Sequence, residues 1–385
     1  MKKRQKNNKK KTIAIFTGYF LPHLGGVEQY TDSLSKELIR NGYKVIIITS
    51  NDNEYKSYEK NGNLSIYRLP ILKTFKSRYP ILNIFSPDYK KLKKKIINEE
   101  MNFIIANTRF YQTTYLGTKV AQKKGLEIYQ IEHGSAHLTL SNKFLDFFVA
   151  IYEHFITRII KNKLSGSFGV SNYAVEWLKH FNIEGIGVWY NSVVDDVDNA
   201  KIVKDDNKVI FSFVGRIIKQ KGILNVIEAF QRIEKEFSNV KLEIAGNGEL
   251  YEMLKEKNKS KNVTFYGKID KEEVYAILKK SNVFLCPSIW PEGFPSTILE
   301  AGLMKNAVIA TNQGGIKDII KNERNGIIVK ETADDLYRAM KELILDRKKT
   351  AKYANQLNID VINNYTWTAT GAKVIEFIES RIRND

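Results

Sequence analysis

Three stretches of the 385-residue chain combine charged side chains with glycines as anion and sugar sites require. The first reads Val214-Gly215-Arg216-Ile217-Ile218-Lys219-Gln220-Lys221-Gly222. It closes a continuous apolar run, so Arg216 falls at a strand's carboxyl end and Lys221 at the start of the next helix. Two fixed cations there suit a diphosphate, the arginine through its bidentate fork; Lys219 reads as a solvated neighbour. The second stretch, residues 286–301, places Glu292 in a loop between Pro and Gly neighbours and Glu300 on the following helix. Carboxylates accept hydrogen bonds from sugar and ribose hydroxyls, and a helix N-terminus meets phosphate. By spacing alone the plainer reading stands first, a helix-start acid and a surface glutamate. The third stretch carries Gly25-Gly26 before a helix, where a phosphate can approach backbone N–H groups. Taken alone, two such glycines are more often a turn. The chain has neither a G-x-G-x-x-G fingerprint nor a Walker lysine, so dinucleotide and P-loop chemistry lack support.

Two residues at other strand ends add to these. His133, in Ile131-Glu132-His133-Gly134-Ser135, is placed to meet a sugar hydroxyl, although a strand-end histidine is more often structural. Arg109, in Asn107-Thr108-Arg109-Phe110, is the candidate acceptor contact. The single cysteine, Cys286, excludes an intramolecular disulfide and a multi-cysteine zinc site, and fits a reducing compartment.

The elements that must hold these residues alternate. Short β-branched runs (13–16, 45–48, 103–106, 127–131) are separated by segments of helical period, and the pattern restarts after residue 207 with Val209–Val214. This predicts an α/β protein of two doubly wound, Rossmann-like units with parallel sheets covered on both faces. The expected organisation is a basic tail over 1–11, a first domain over 12–190, an acidic linker over 191–206 and a second domain over 207–365. A last helix, 366–385, is expected to return to the first domain. Facing sheets of this kind would direct their carboxyl ends, and the ligands, to a central cleft.

The formal net charge is +18, from 61 basic and 43 acidic residues. Seven of the first eleven residues are basic, and Lys73, Lys76, Arg78, Lys90, Lys91, Lys93, Lys94 and Lys95 are opposed by Asp88 alone. Such clusters favour polyanions or an anionic membrane surface, or are simply solvated faces. No stretch reads as a transmembrane helix, and the start does not read as a signal peptide. The nearest apolar candidate, Phe144–Ile160, contains Asp146, Glu153, His154 and Arg158. Its aromatic-rich arc is expected to pack on the first sheet; an interfacial membrane helix is the alternative.

Together, "LPHLGGVEQY", "VGRIIKQKG", "IAGNGE", "VTFYGKI", "PSIWPEGFPSTILEA", "ATNQGGIKDII" and "YTWTATGAKV", in this order, resemble the family-four retaining glycosyltransferases of GT-B architecture over nearly the whole chain. The resemblance implies transfer of a sugar from a nucleotide diphosphate-sugar, UDP-linked by preference, to an acceptor hydroxyl, in the manner of a hexosyltransferase. It implies that Arg216 and Lys221 neutralise the diphosphate, that Glu292 lies near the transferred sugar with Gly293, Phe294 and Pro295, and that Glu300 binds ribose. Ser296 and Thr297, at the following helix start, join this donor set. Gly25 and Gly26 fall near the donor phosphate. Gly246 and Asn247, with Gly267 and Ile269, fall near the base. His133 matches the family's active-site histidine and orients the sugar.

No cofactor is implied besides the donor. Asp196-Val197-Asp198 spells the metal motif of the other glycosyltransferase architecture, but in the linker, so no metal is expected. The implied acceptor is a sugar or lipid-linked hydroxyl, in cell-surface polysaccharide or glycolipid assembly, with the enzyme cytoplasmic and peripheral at the inner membrane face. The other readings are an inactive membrane-associated relative and a basic nucleic-acid-binding protein. No nucleic-acid module matches, and the paired charges are intact.

Overall fold

Runs of Ile, Val, Ala and Phe become strands buried on both faces. The computed structural model describes residues 10–23, 25–52, 55–72, 79–134, 136–139, 142–195, 202, 204–205 and 207–382. It divides into two units, Met1–Tyr190 with Thr370–Asp385, and Asn191–Ala369.

The first unit runs β1 (Thr12–Phe16), α1 (Gly26–Arg40), β2 (Lys44–Asn51), β3 (Tyr58–Asn61), β4 (Leu64–Pro70), α2 (Pro87–Asn98) and β5 (Phe103–Asn107). It continues through α3 (Gln112–Lys124), β6 (Ile128–Glu132), α4 (Lys143–Lys161), β7 (Gly166–Gly169), α5 (Asn172–Lys179) and β8 (Gly187–Val188). The sheet order is β3-β4-β2-β1-β5-β6-β7-β8, parallel except for the β3–β4 pair. Because β1 pairs with both β2 and β5, the chain reverses its winding there, and the carboxyl ends of β1 and β5 form the switch point at which doubly wound sheets take ligands. Ala14, Phe16, Ile46, Ile48, Ile104 and Val120 belong to the core on one face of this sheet.

The second unit runs β9 (Val209–Val214), α6 (Ile223–Glu236), β10 (Val240–Ala245), α7 (Tyr251–Lys257), β11 (Val263–Gly267), α8 (Lys271–Lys280) and β12 (Val283–Cys286). Then follow α9 (Ser296–Leu303), β13 (Ala307–Thr311), α10 (Ile316–Ile319), β14 (Ile327–Val329), α11 (Ala333–Leu345), α12 (Arg347–Asn364) and α13 (Trp367–Ile382). The sheet is wholly parallel, ordered β11-β10-β9-β12-β13-β14, with its switch point between β9 and β12. Phe211, Phe230, Leu242, Leu285, Leu336 and Met340 sit in its core.

The polar segment at 191–195 is not free chain. Val193 bridges Thr366, and Asp195 Oδ2 accepts the Thr368 N–H at 3.0 Å, capping the start of α13. The later turns of α13 belong to the first unit. There Phe377 packs edge-on against Tyr129 (4.9 Å) and Phe168 (5.1 Å), and Glu379 pairs with Lys11 at 3.0 Å. Lys204 donates from its ammonium to the carbonyls of Leu278, Ser281 and Met304, satisfying carbonyls around the ends of α8 and α9. The basic tail through residue 9, Lys73, Lys76, Arg78 and the Asp196-Val197-Asp198 motif lie outside the described residues.

Candidate active site

In the second unit, five loops converge on the carboxyl edge of β9, β10, β11, β12 and β13, and backbone-to-backbone approach fixes them. Gly246 lies at φ +131°, and a Cβ there would sit 1.8 Å from the Gly215 carbonyl oxygen. Gly222, at φ +73°, would drive a Cβ to 2.0 Å from the Pro287 carbonyl oxygen. Gly314, at φ +57°, would do the same to the Glu292 carbonyl oxygen, again at 2.0 Å. Only glycine satisfies both the left-handed backbone and the contact. Gly246 donates its N–H to Gly267 at 2.7 Å, Gly315 to Glu292 at 2.8 Å and Ile289 to Gln220 at 2.9 Å.

On this frame Lys221 Nζ meets Glu292 Oε1 at 2.5 Å, and Ser288 Oγ donates to the same oxygen. Arg216 is exposed and has no ion-pair partner among the described residues; Lys219 is exposed beside it. A pocket of about 320 Å³ opens between Arg216, Gly246, Asn247, Lys268, Ile269 and Val274. Its lining is mostly apolar, with Asn247, Arg216 and Lys268 as its polar side chains, the character of a slot for a flat ring beside a charged group. The loops quoted from sequence at 215–216, 246–247 and 268–269 thus share one cavity.

Glu300 lies on α9, largely covered, 3.9 Å from Lys271 Nζ. Burial raises its carboxyl above the usual range, and Lys271 opposes that rise. Tyr275 OH is buried with no hydrogen-bond partner among the described residues. Pro295 caps α9, leaving the first-turn N–H groups of the helix, at Ser296 and Thr297, directed outward as a weak positive pole. Phe294 is buried, 5.7 Å from Tyr365, so its ring anchors the loop while Gly293 is half-buried.

In the first unit a chain of hydrogen bonds sets the state of His133. Thr31 Oγ donates to Val27 O at 2.7 Å and therefore accepts from Asn107 Nδ2, also at 2.7 Å. Asn107 Oδ1 then faces His133 Nε2 at 2.9 Å and can only accept. His133 carries its proton on Nε2 and offers a lone pair at Nδ1, and Tyr30 meets the ring edge-on at 4.8 Å. Burial pushes the imidazole pKa down to about 3, so it is neutral at physiological pH. Thr108, next to Asn107, has φ +68°, an uncommon conformation for a β-branched residue and a sign of local strain. Gly25 stands in extended backbone before α1, with the Glu28 carboxylate folded over it. Gly26 has open space where a Cβ would go.

Arg109 corrects the expectation of an acceptor contact. It is only 1% exposed. Its guanidinium reaches Glu132 Oε2 at 2.6 Å and Glu153 Oε2 at 3.5 Å, and stacks 3.6 Å from the Phe181 ring centroid. Glu132 Oε1 accepts the Gly134 N–H at 2.8 Å. Arg109 therefore holds the turn that carries His133 by acting through Glu132, and presents nothing to solvent.

Helix α4 also departs from expectation. Its buried side chains include Glu153, Ile156, Thr157 and Ile160. The aromatic stripe instead faces outward, with Phe144 71%, Phe147 62% and Phe155 63% exposed and Ile151 half exposed. The reason is the Arg109 network. A buried guanidinium needs carboxylates, so the helix turns Glu153 inward and its widest apolar arc outward. The network itself escaped sequence reasoning because Arg109, Glu132, Glu153 and His137 are far apart in the chain; a glutamate inside an apolar helix was the one available signal.

Two parallel Rossmann-like sheets with these loops define the GT-B glycosyltransferase fold. Residues 194–358 match the family described as glycosyl transferases group 1, and residues 24–197 match glycosyltransferase family 4. The chain belongs to the group 1 glycosyltransferases. It is 27% identical over 374 residues to an uncharacterised glycosyltransferase of Methanocaldococcus jannaschii, covering 92% of this chain and 95% of that one. It is 24% identical over 386 residues to the GPI3 subunit of the Saccharomyces cerevisiae phosphatidylinositol N-acetylglucosaminyltransferase (94% and 82%). The fold matches that of Anabaena HepE, solved with UDP and glucose, at a TM-score of 0.71 and 16% identity (96% and 100%).

Proposed function

We propose that this glycosyltransferase moves a hexose from a nucleotide diphosphate-sugar to an acceptor hydroxyl with retention, and that the donor is UDP-linked. The observation that carries the reading is the β9–β12 switch point. Arg216, without an ion-pair partner among the described residues, and the Lys221–Glu292 pair stand there beside a ring-sized apolar pocket. The base enters the pocket and the diphosphate meets Arg216 and Lys221. Lys221 then exchanges part of its contact with Glu292 for a phosphate oxygen, which frees Glu292 for a sugar hydroxyl. Glu300 accepts from ribose.

The bond from the anomeric carbon to the diphosphate breaks, and the acceptor oxygen bonds to that carbon from the same face. The acceptor proton passes to the departing phosphate oxygen. The two cations stabilise charge as it develops on the leaving group, and fixed charges of this kind usually contribute more to catalysis than any other single effect. No divalent metal takes part in the transfer step. His133, neutral with Nδ1 as acceptor, orients the sugar by receiving one hydroxyl hydrogen. A UDP donor is supported by the UDP and glucose bound to the structurally similar HepE.

The acceptor is a lipid-linked sugar or a glycolipid at the cytoplasmic face of an anionic membrane, in cell-surface polysaccharide or glycolipid assembly. The outward aromatic face of α4 supports this, as do Phe85, 80% exposed, and Lys90, Lys91, Lys94 and Lys95, all exposed on α2. No helix among the described residues is long and apolar enough to cross a membrane. The phosphatidylinositol acceptor in the yeast relative's name points the same way.

The test is a panel of nucleotide sugars incubated with the chain while donor hydrolysis and UDP binding are measured. One diphosphate-sugar should be turned over, and Arg216→Ala should lose it. No binding of any nucleoside diphosphate would sink the reading. For the membrane, sedimentation with acidic vesicles should be partly salt-resistant, and Phe144→Ser with Phe155→Ser should remove the salt-resistant part.

A further inference from the structure

Five histidines occur in the chain, and three of them meet at one place in the first unit. His137 lies in the segment after β6, His154 on α4 and His180 at the end of α5. One ring nitrogen from each falls within 4.8 Å of the others, and the ring centroids are 4.9–5.5 Å apart. His137 Nε2 and His180 Nε2 face each other at 3.1 Å. Two nitrogens bound to one tetrahedral zinc at about 2.0–2.1 Å lie roughly 3.3 Å apart, so this pair already has the spacing of two ligands. Rotation of the exposed His154 side chain brings the third into place.

The surroundings are those of a metal-binding imidazole. His137 Nδ1 is held by Glu153 Oε2 at 2.6 Å, which fixes the ring and leaves Nε2 as the ligand atom. A carboxylate on the far nitrogen raises ligand basicity and is the common outer partner of a zinc-bound histidine. Glu153 is itself buried and anchored by Arg109. Trp177 stacks on His180 with ring centroids 4.8 Å apart, and Phe181 lies 4.8 Å from His154, so the rings have an aromatic floor. Three protonated imidazoles this close would repel; three neutral ones supply lone pairs. The cluster borders a cleft of about 570 Å³ whose rim also carries Arg158 and Lys161. These cations leave a fourth position for water or an anion and not for a further cation.

We propose that His137, His154 and His180 bind one Zn²⁺ with an open fourth position. All-imidazole ligation suits zinc, which has no geometric demand from its d-shell. The ion fastens the segment after β6, α4 and α5 to one another. Through Glu153, Arg109 and Glu132 it braces the turn that carries His133, so its role is to position and not to react.

The test uses the untagged full chain, stripped with chelator and dialysed. Cobalt titration should give the intense visible bands of a tetrahedral site, saturating at one ion per chain and bleached by zinc. Zinc should raise the melting temperature. His154→Ala and His180→Ala, both at exposed positions, should each weaken cobalt binding at least tenfold and cancel the thermal shift, with the far-ultraviolet circular dichroism of the wild type retained. His23→Ala should change neither. Absence of the cobalt bands, or binding and thermal shift that survive both substitutions, would overturn the site.

Discussion

The loops that end β9 to β13 and those that end β5 and β6 hold polar groups by opposite means. In the second unit Arg216 is exposed, Lys221 and Glu292 are half-buried, and the backbone beneath them is locked, because Gly222, Gly246 and Gly314 press against neighbouring carbonyls. At the ends of β5 and β6 Thr108 alone among the described residues has positive φ, and the side chains are locked by one another. One set runs from Val27 through Thr31 and Asn107 to His133, the other from Glu132 through Arg109 and Glu153 to His137. The first device tolerates side-chain change and fails on a glycine. The second tolerates backbone change and fails when one member is removed.

The largest expected effect follows from the side-chain device. Arg109→Met leaves two buried carboxylates without their cation, and breaking such a network costs about 3–5 kcal/mol. Thermal unfolding should show the loss, while the acceptor KM stays near wild type at temperatures where the variant is folded. A stable variant with a raised acceptor KM would return Arg109 to the acceptor site. Next comes the backbone device. Gly246→Ala forces a Cβ onto the Gly215 carbonyl and should cost about 1–3 kcal/mol from overpacking, with UDP binding lost. Gly26→Ala, with nothing within 4 Å of its Cβ, should be nearly neutral in stability.

Arg216→Ala and Lys221→Ala should each weaken donor binding by roughly tenfold or more, since a charge-assisted hydrogen bond is worth about 1.5–3 kcal/mol. Lys219→Ala should be silent in the same calorimetric titration. Equal losses at all three positions would replace a clamp by a general positive field.

A smaller effect is the pH dependence set by His133. Its folded pKa is about 3, well below an unfolded value near 6.5. Above pH 6.5 neither state is protonated and the residue contributes no slope. As pH falls from 6.5 toward 3 the unfolded state takes up the proton first, so stability is lost by at most about 1.4 kcal/mol per pH unit. His133→Gln should flatten that part of the melting-temperature profile. An unchanged profile would mean that the ring titrates normally. The smallest effect is on turnover in chelator: excess EDTA should lower the melting temperature by removing the bracing metal, while kcat at room temperature persists. Loss of turnover restored by manganese would break the metal-free transfer step.

Much of the second unit was legible in advance. Its strands β9, β12, β13 and β14 carry no charged residue, and its site residues lie in short contiguous motifs, because a loop fixed by glycine must carry the glycine next to the residue it displays. The first unit was legible as a fold and less so as a site. The short strands β3, β7 and β8 have weak patterns, and β7 is half glycine, so they form on neighbours already in place. α12 was missed as well, since polar residues interrupt its helical period.

By itself the sequence determined two parallel-sheet units, the strand ends that bear chemistry, and the order of the motifs in the chain. These depend on local periodicity and on residues within a few positions of one another. Only the tertiary structure decided that Arg109 is buried, that α4 turns its phenylalanines outward, and that His137, His154 and His180 meet. Each of these is settled by which partner relieves a buried charge. Glu132, 23 residues from Arg109, and Glu153, 44 residues away, become its partners only when β5, β6 and α4 are side by side.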